Sequence, residues 1–204
     1  MRFLITALVG FLVLPVSVTA PIPAEAANSS VVLKPAIELP AIAVPNAYTK
    51  VPTRSFTAKL TAYNAVPGQT DSTPFITAVG AFSNPEVVAA RSRDLATTLP
   101  YGTVIKIERV TADTPSCRLS QVEHQIGYRV VADAMNPRIT NTVDVLLDQH
   151  KKVWVDGRMV NPALAIGRCA SVSITVVGHI SVKEIPGTQA ELARMVTKGE
   201  IAKR

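Results

Sequence analysis

Aromatic residues are scarce in this 204-residue chain, at 5% with a single Trp, and no stretch interleaves rings with Lys or Arg as a nucleic-acid groove would. Charged residues reach only 18% against 48% hydrophobic, which excludes a disordered polyelectrolyte. Beyond Phe3–Leu14 there is no long uncharged apolar run, so a multi-span membrane protein is excluded as well. The 15 prolines leave no room for a sustained heptad repeat, which removes coiled coils. Cysteine and histidine are equally sparse, with two and three residues, and no pair of them stands at metal-ligand spacing. What remains plentiful is Val, Ala, Thr and Pro, a composition that leans toward small β architecture. The net charge of +6 is spread without a dense basic run, and it suits plain solubility as well as an acidic polymer such as a bacterial cell wall.

Arg2, the apolar run Phe3–Leu14 and the small residues of Ala24-Glu25-Ala26 form the three regions of a secretory signal peptide, with cleavage expected after Ala26. The apolar run is short for a membrane span, so no stable span is expected after cleavage. The expected localisation is exported: the periplasm, association with the outer membrane, or the cell wall and extracellular medium. In such a compartment Cys117 and Cys169, an even pair, read as one disulfide.

Residues 27–54 carry Pro35, Pro40, Pro45 and Pro52 at short intervals and read as an extended linker. From Ser55 the pattern changes to short alternating runs, predicting strands over 55–64, 104–107, 128–134, 142–147 and 171–177. Asp156-Gly157 between Val153–Val155 and Arg158–Val160 predicts a hairpin, inserted after the last of the aspartate-bearing strands. Asn161-Pro162 opens a short helix closed by Gly167. A domain over 55–182 results, mainly β, with the tail 183–204 expected to be peripheral despite a helical stretch at Gln189–Val196. Many short strands in this span predict a barrel or sandwich, and the lack of strand–helix alternation argues against a doubly wound sheet.

Three segments hold polar residues that a structural strand does not require: 60–80 around Asp71, 89–107, and 128–148 with Asp133 and Asp144 inside apolar runs. A carboxylate among Val130, Val131 and Ala132 is half-buried, and its charge is costly unless paired or protonated. A structural role stands beside the functional one, with Asp133 capping the turn at Asn136-Pro137 and Asp144 tethering a loop. Thr61, Tyr63, Thr73, Thr77 and Tyr101 are candidates to line a groove, their hydroxyls bonding sugar and their rings stacking on it, although both tyrosines suit core packing equally. Trp154 and His124 carry no assignment.

The order Thr61-Ala62-Tyr63, then TDSTPFITAVG over 70–80, Arg93-Asp94-Leu95, LPYGT over 99–103, VADAMN over 131–136 and Val143-Asp144-Val145 resembles the 3D (Asp-Asp-Asp) domain. That domain occurs in exported bacterial cell-wall proteins and at the catalytic end of MltA-type lytic transglycosylases. The resemblance spans about Thr57 to Val177. It implies a six-stranded double-psi β-barrel with a short helix, in which Asp94, Asp133 and Asp144 meet in a groove that holds a glycan strand. Asp133 then stands at the position of the acid catalyst, with its neighbours raising its affinity for a proton. Two details depart from the pattern. Asp94 lies one residue farther from Pro100 than the family's spacing, and Met135 stands where glycine often follows the catalytic aspartate.

A lytic transglycosylase uses the 6-hydroxyl of N-acetylmuramic acid as internal nucleophile, so one carboxyl group serves first as acid and then as base. No metal and no cofactor is required, and the expected partner is peptidoglycan, met by a monomer. The competing reading is a non-catalytic cell-wall glycan-binding double-psi barrel; a nucleic-acid binder is disfavoured by the export signal. One prediction follows from the cysteines alone: thiol titration of the denatured, unreduced protein finds no reactive group, whereas two reactive groups would dissolve the pairing.

Overall fold

The structure, a computed structural model, describes residues 54–202; the expected signal peptide and all but the last residue of the expected linker lie outside the described residues. Alternation over Ser55–Tyr63 (β1) buries Ala58 and Leu60 and leaves the residues between them toward solvent. Val88–Arg91 (β2) has no such alternation, because all four of its residues are covered. Thr103–Arg109 (β3), Tyr128–Ala134 (β4), Thr142–Leu146 (β5) and Cys169–His179 (β8) complete a closed barrel in the order β1-β5-β2-β4-β3-β8. The pairs β1/β5 and β2/β4 are parallel and the other four contacts antiparallel. The result is a mainly β protein whose six-stranded mixed barrel is compatible with a double-psi arrangement. Closure leaves no strand edge exposed in the barrel.

Outside the barrel, Val153–Val155 (β6) and Arg158–Val160 (β7) form the expected hairpin. Asp156 and Gly157 take φ of 48° and 79°, the left-handed pair that a tight two-residue turn needs. Three short helices follow the sequence signals unevenly. Leu119–Val122 (α1) was not foreshadowed by any cap. Pro162–Ile166 (α2) begins where Asn161 accepts the Ala163 N–H at 2.9 Å and ends at Gly167, as expected. Gly167 has φ 68°, and a Cβ there would stand 2.5 Å from the Ser116 carbonyl. That close approach seats the disulfide between Cys117 and Cys169, which ties the segment before α1 to the start of β8.

The tail differs from expectation. Gln189–Lys198 (α3), capped by Thr188, packs on the barrel through Leu192, and Ile201 beyond it is also buried. The segment's polar look misled because one polar side chain is a plug. The Gln189 amide donates to the carbonyls of Ile126 at 2.7 Å and Tyr128 at 2.8 Å, and also to that of Glu86. Ala202 then pairs with His179 at the end of β8. Leu192→Ala is therefore expected to lower unfolding free energy by about 2–5 kcal/mol in urea titration. A loss below about 0.5 kcal/mol is what a peripheral helix would give, and would contradict this packing.

Candidate functional site

Four strands bring one row of residues together. Thr61 on β1 is the register partner of Asp144 on β5, Asp144 of Ala90 on β2, and Ala90 of Asp133 on β4. The last step depends on a register shift between Ala89 and Ala90. Strict alternation from Val88↔Val130 and Ala89↔Val131 would set Ala132 opposite Ala90 and turn Asp133 to the other face. The irregularity places Asp133 opposite Ala90 instead, on the same face as Asp144. Ala90, with only a methyl between two carboxyl groups, leaves room for them to face one cleft.

That cleft has a volume of about 650 Å³, and its lining includes Asp133, Asp144, Tyr63, Thr73 and Thr77. Asp133 is held by three donors. Its Oδ2 accepts the Tyr63 hydroxyl at 2.9 Å, and its Oδ1 accepts the N–H groups of Ala78 and Ala134, each at 2.9 Å. Asp144 has one donor, the Thr61 hydroxyl at 2.6 Å on Oδ1. Burial, with a further push from the Asp133 charge and an opposing pull from the Thr61 bond, raises the Asp144 carboxyl to about 6. Burial and then the neighbouring Asp133 push the Tyr63 phenol far above its usual range, so it stays a donor.

The segment between β1 and β2 forms one wall. Thr77 is buried, its N–H reaching the Ala81 carbonyl at 2.8 Å and its hydroxyl accepting the Ala81 N–H at 3.1 Å. This turn, which passes through Gly80 at φ 77°, aims the Ala78 N–H at Asp133. Asp71 at the cleft mouth accepts from both the N–H and the hydroxyl of Thr73, which lowers its carboxyl. Among the described residues, no three His, Cys, Asp or Glu side chains converge as a metal cluster. No helix among them is long and apolar enough to cross a membrane.

Of the expected site residues, Asp133, Asp144, Tyr63, Thr73 and Thr77 line the cleft, and Thr61 reaches it through its bond to Asp144. Asp94 and Tyr101 do not line it. Asp94 lies exposed in the 3-10 turn Arg93–Leu95, and its Oδ2 accepts the Asn141 N–H at 2.9 Å. Tyr101 packs toward the core, with the Arg91 guanidinium 4.6 Å from its ring centre. Two contributors escaped the sequence: the Ala78 N–H, which no side-chain pattern can reveal, and Arg93 in the cleft wall. No family model matches the chain, and no curated protein matches it either.

The raised Asp144 gives a stability prediction with a definite sign. Its folded-state value of about 6 exceeds the ordinary 3.8, so the cost of ionising it is absent at low pH and appears as pH rises through about 6. Asp144→Asn keeps an oxygen for Thr61 and should be more stable than wild type at pH 7.5, by on the order of 2–3 kcal/mol. The gap should close at pH 4 in chemical denaturation. A gap that is equal at both pH values would contradict the buried-carboxyl account.

Proposed function

We propose that the chain is an exported enzyme that cleaves peptidoglycan glycan strands at glycosyl bonds, of the lytic transglycosylase type, on a double-psi barrel. The observation that carries this is the unequal carboxyl pair in one cleft: one residue saturated by donors, the other buried and holding its proton toward neutral pH. An acid that is still protonated near pH 6 beside a carboxylate is the equipment that glycosidic cleavage requires.

The assignment within the pair departs from the resemblance. Asp133 already accepts three hydrogen bonds, whereas Asp144 keeps Oδ2 without a donor among the described residues and is the freer to reach a substrate oxygen. In the proposed reaction Asp144 protonates the oxygen leaving C1 of the muramyl residue. The carboxylate of Asp133 stabilises the positive charge that develops at C1. The muramyl 6-hydroxyl then attacks C1 and returns its proton to Asp144, which closes the 1,6-anhydro ring and restores the acid. Water is not consumed. Tyr63 and Ala78 keep Asp133 in place, and Thr61 does the same for Asp144.

Mass spectrometry of purified peptidoglycan after incubation is expected to find 1,6-anhydro-muropeptides. Asp144→Asn should lower their release by about 10²- to 10⁴-fold. Asp133→Asn removes the charge that helps to raise Asp144, so the alkaline limb of kcat/KM, near pH 6 in wild type, should move toward acid. Strands that are bound but never cut, with Asp144→Asn changing only affinity, would leave the glycan-binding barrel as the better account.

A further inference from the structure

The residues lining the cleft include three acids, Asp71, Asp133 and Asp144, and one cation, Arg93. Among the described residues no carboxylate, carbonyl or ring takes up its guanidinium, while Arg91 and Arg129 are both engaged and buried. An arginine with no partner is ordinary on an open surface, but this one is held by a fixed base. Ser92 exchanges two hydrogen bonds with Thr142, its N–H donating to the Thr142 carbonyl at 2.9 Å and its hydroxyl accepting the Thr142 N–H at 3.0 Å. On the other side Asp94 holds the Asn141 N–H. Asn141 has φ 48°, a conformation that this hydrogen bond helps to hold. The turn that bears Arg93 is thus pinned on both flanks to the residues that open β5, the strand of Asp144. Asp94 serves the cleft through this clamp.

We infer that Arg93 is a specificity residue that binds a carboxylate on the substrate strand, so that the cleft selects glycans with acidic substituents; this rests on the glycan-cleaving reading above. Charge complementarity carries the argument. An anionic strand entering a cleft with three acids is repelled unless a cation meets its charge away from the carboxyl pair. A guanidinium on a clamped turn offers the planar fork that matches a carboxylate. The stem-peptide carboxylates of peptidoglycan supply that group, as does the lactyl carboxylate where no peptide is attached, and phosphodiesters of attached wall polymers share its charge. Apolar side chains on both sides of the cleft, Ile76 and Ile139, are exposed at 56% and 40% and suit the faces and acetyl methyls of the same sugars.

The test compares wild type, Arg93→Gln and Arg93→Lys on three preparations: purified peptidoglycan, the same material with carboxylates amidated by carbodiimide, and material stripped of phosphodiesters by acid. Co-sedimentation gives binding, and release of soluble fragments gives kcat and KM. Arg93→Gln should bind native strands about tenfold more weakly and raise KM by a similar factor with kcat within about twofold. Arg93→Lys should recover part of this, and amidated strands should bind wild type and Arg93→Gln alike. Stripping phosphodiesters should change nothing; if it alone abolishes the difference, the recognised group is phosphate and the carboxylate assignment falls. Equal binding of native strands by wild type and Arg93→Gln overturns the inference outright, as does a wild type that binds none of the preparations. If no fragments are released yet Arg93→Gln still loses native strands selectively, the inference stands and the catalytic reading fails.

Discussion

One fully buried cation, Arg129, holds together the strands on which everything else is mounted. Arg129 on β4 is 0% exposed, and its guanidinium donates to the carbonyls of Pro85, Gln125, Ile126 and Leu146 at 2.7–2.9 Å. These carbonyls belong to the entry of β2, the turn before β4 and the end of β5. Burial pulls the group down to about 9, which leaves it charged at neutral pH with the charge met by dipoles and no direct carboxylate. Removing it would strand the buried carbonyls of Ile126 and Leu146, each costing about 1–3 kcal/mol, and release the half-buried ones of Pro85 and Gln125. The strands tied in this way, β2, β4 and β5, are the ones that carry Ala90, Asp133 and Asp144.

Within that frame the register shift beside Ala90 decides whether there is a carboxyl pair at all. An unbroken ladder between β2 and β4 would send Asp133 to Val131's side, among aliphatic residues of the larger core cluster. The shift costs ladder regularity and returns a second acid to the face of Asp144. The clamp at Ser92 and Asp94 fixes a second strand pair, β2 and β5, two residues beyond Ala90. Both devices act on backbone position, and the side chains then follow.

Much of the fold was legible because alternation reports half-buried strands directly. The expectation for 128–134 coincides with β4, and those for β1, β3, β5 and β8 differ only at their ends. The hairpin turn and α2 were legible because Asp-Gly, Asn-Pro and Gly167 have fixed backbone preferences. β2 was not, since Val-Ala-Ala-Arg is covered on both faces and shows no period. The tail was misread because Gln189 is polar yet satisfied in the interior by backbone carbonyls. At the site, aspartates embedded in apolar runs were visible as anomalies. Their pairing across a displaced ladder was not, because register is a tertiary property.

The two acids differ in the donors that surround them and in what burial does to Asp144. Intrinsic affinities are the same for two aspartates, so environment alone separates them. Asp133 accepts three hydrogen bonds and Asp144 one, and a bond to a charged group contributes about 1.5–3 kcal/mol. The donors on Asp133 thus outnumber the one on Asp144, while burial raises the Asp144 carboxyl. The Asp133 charge adds to that rise. Two of the donors to Asp133, Tyr63 and Ala78, come from β1 and the wall that follows it. The segment that closes one side of the cleft is therefore also the one that orients the Asp133 carboxyl group.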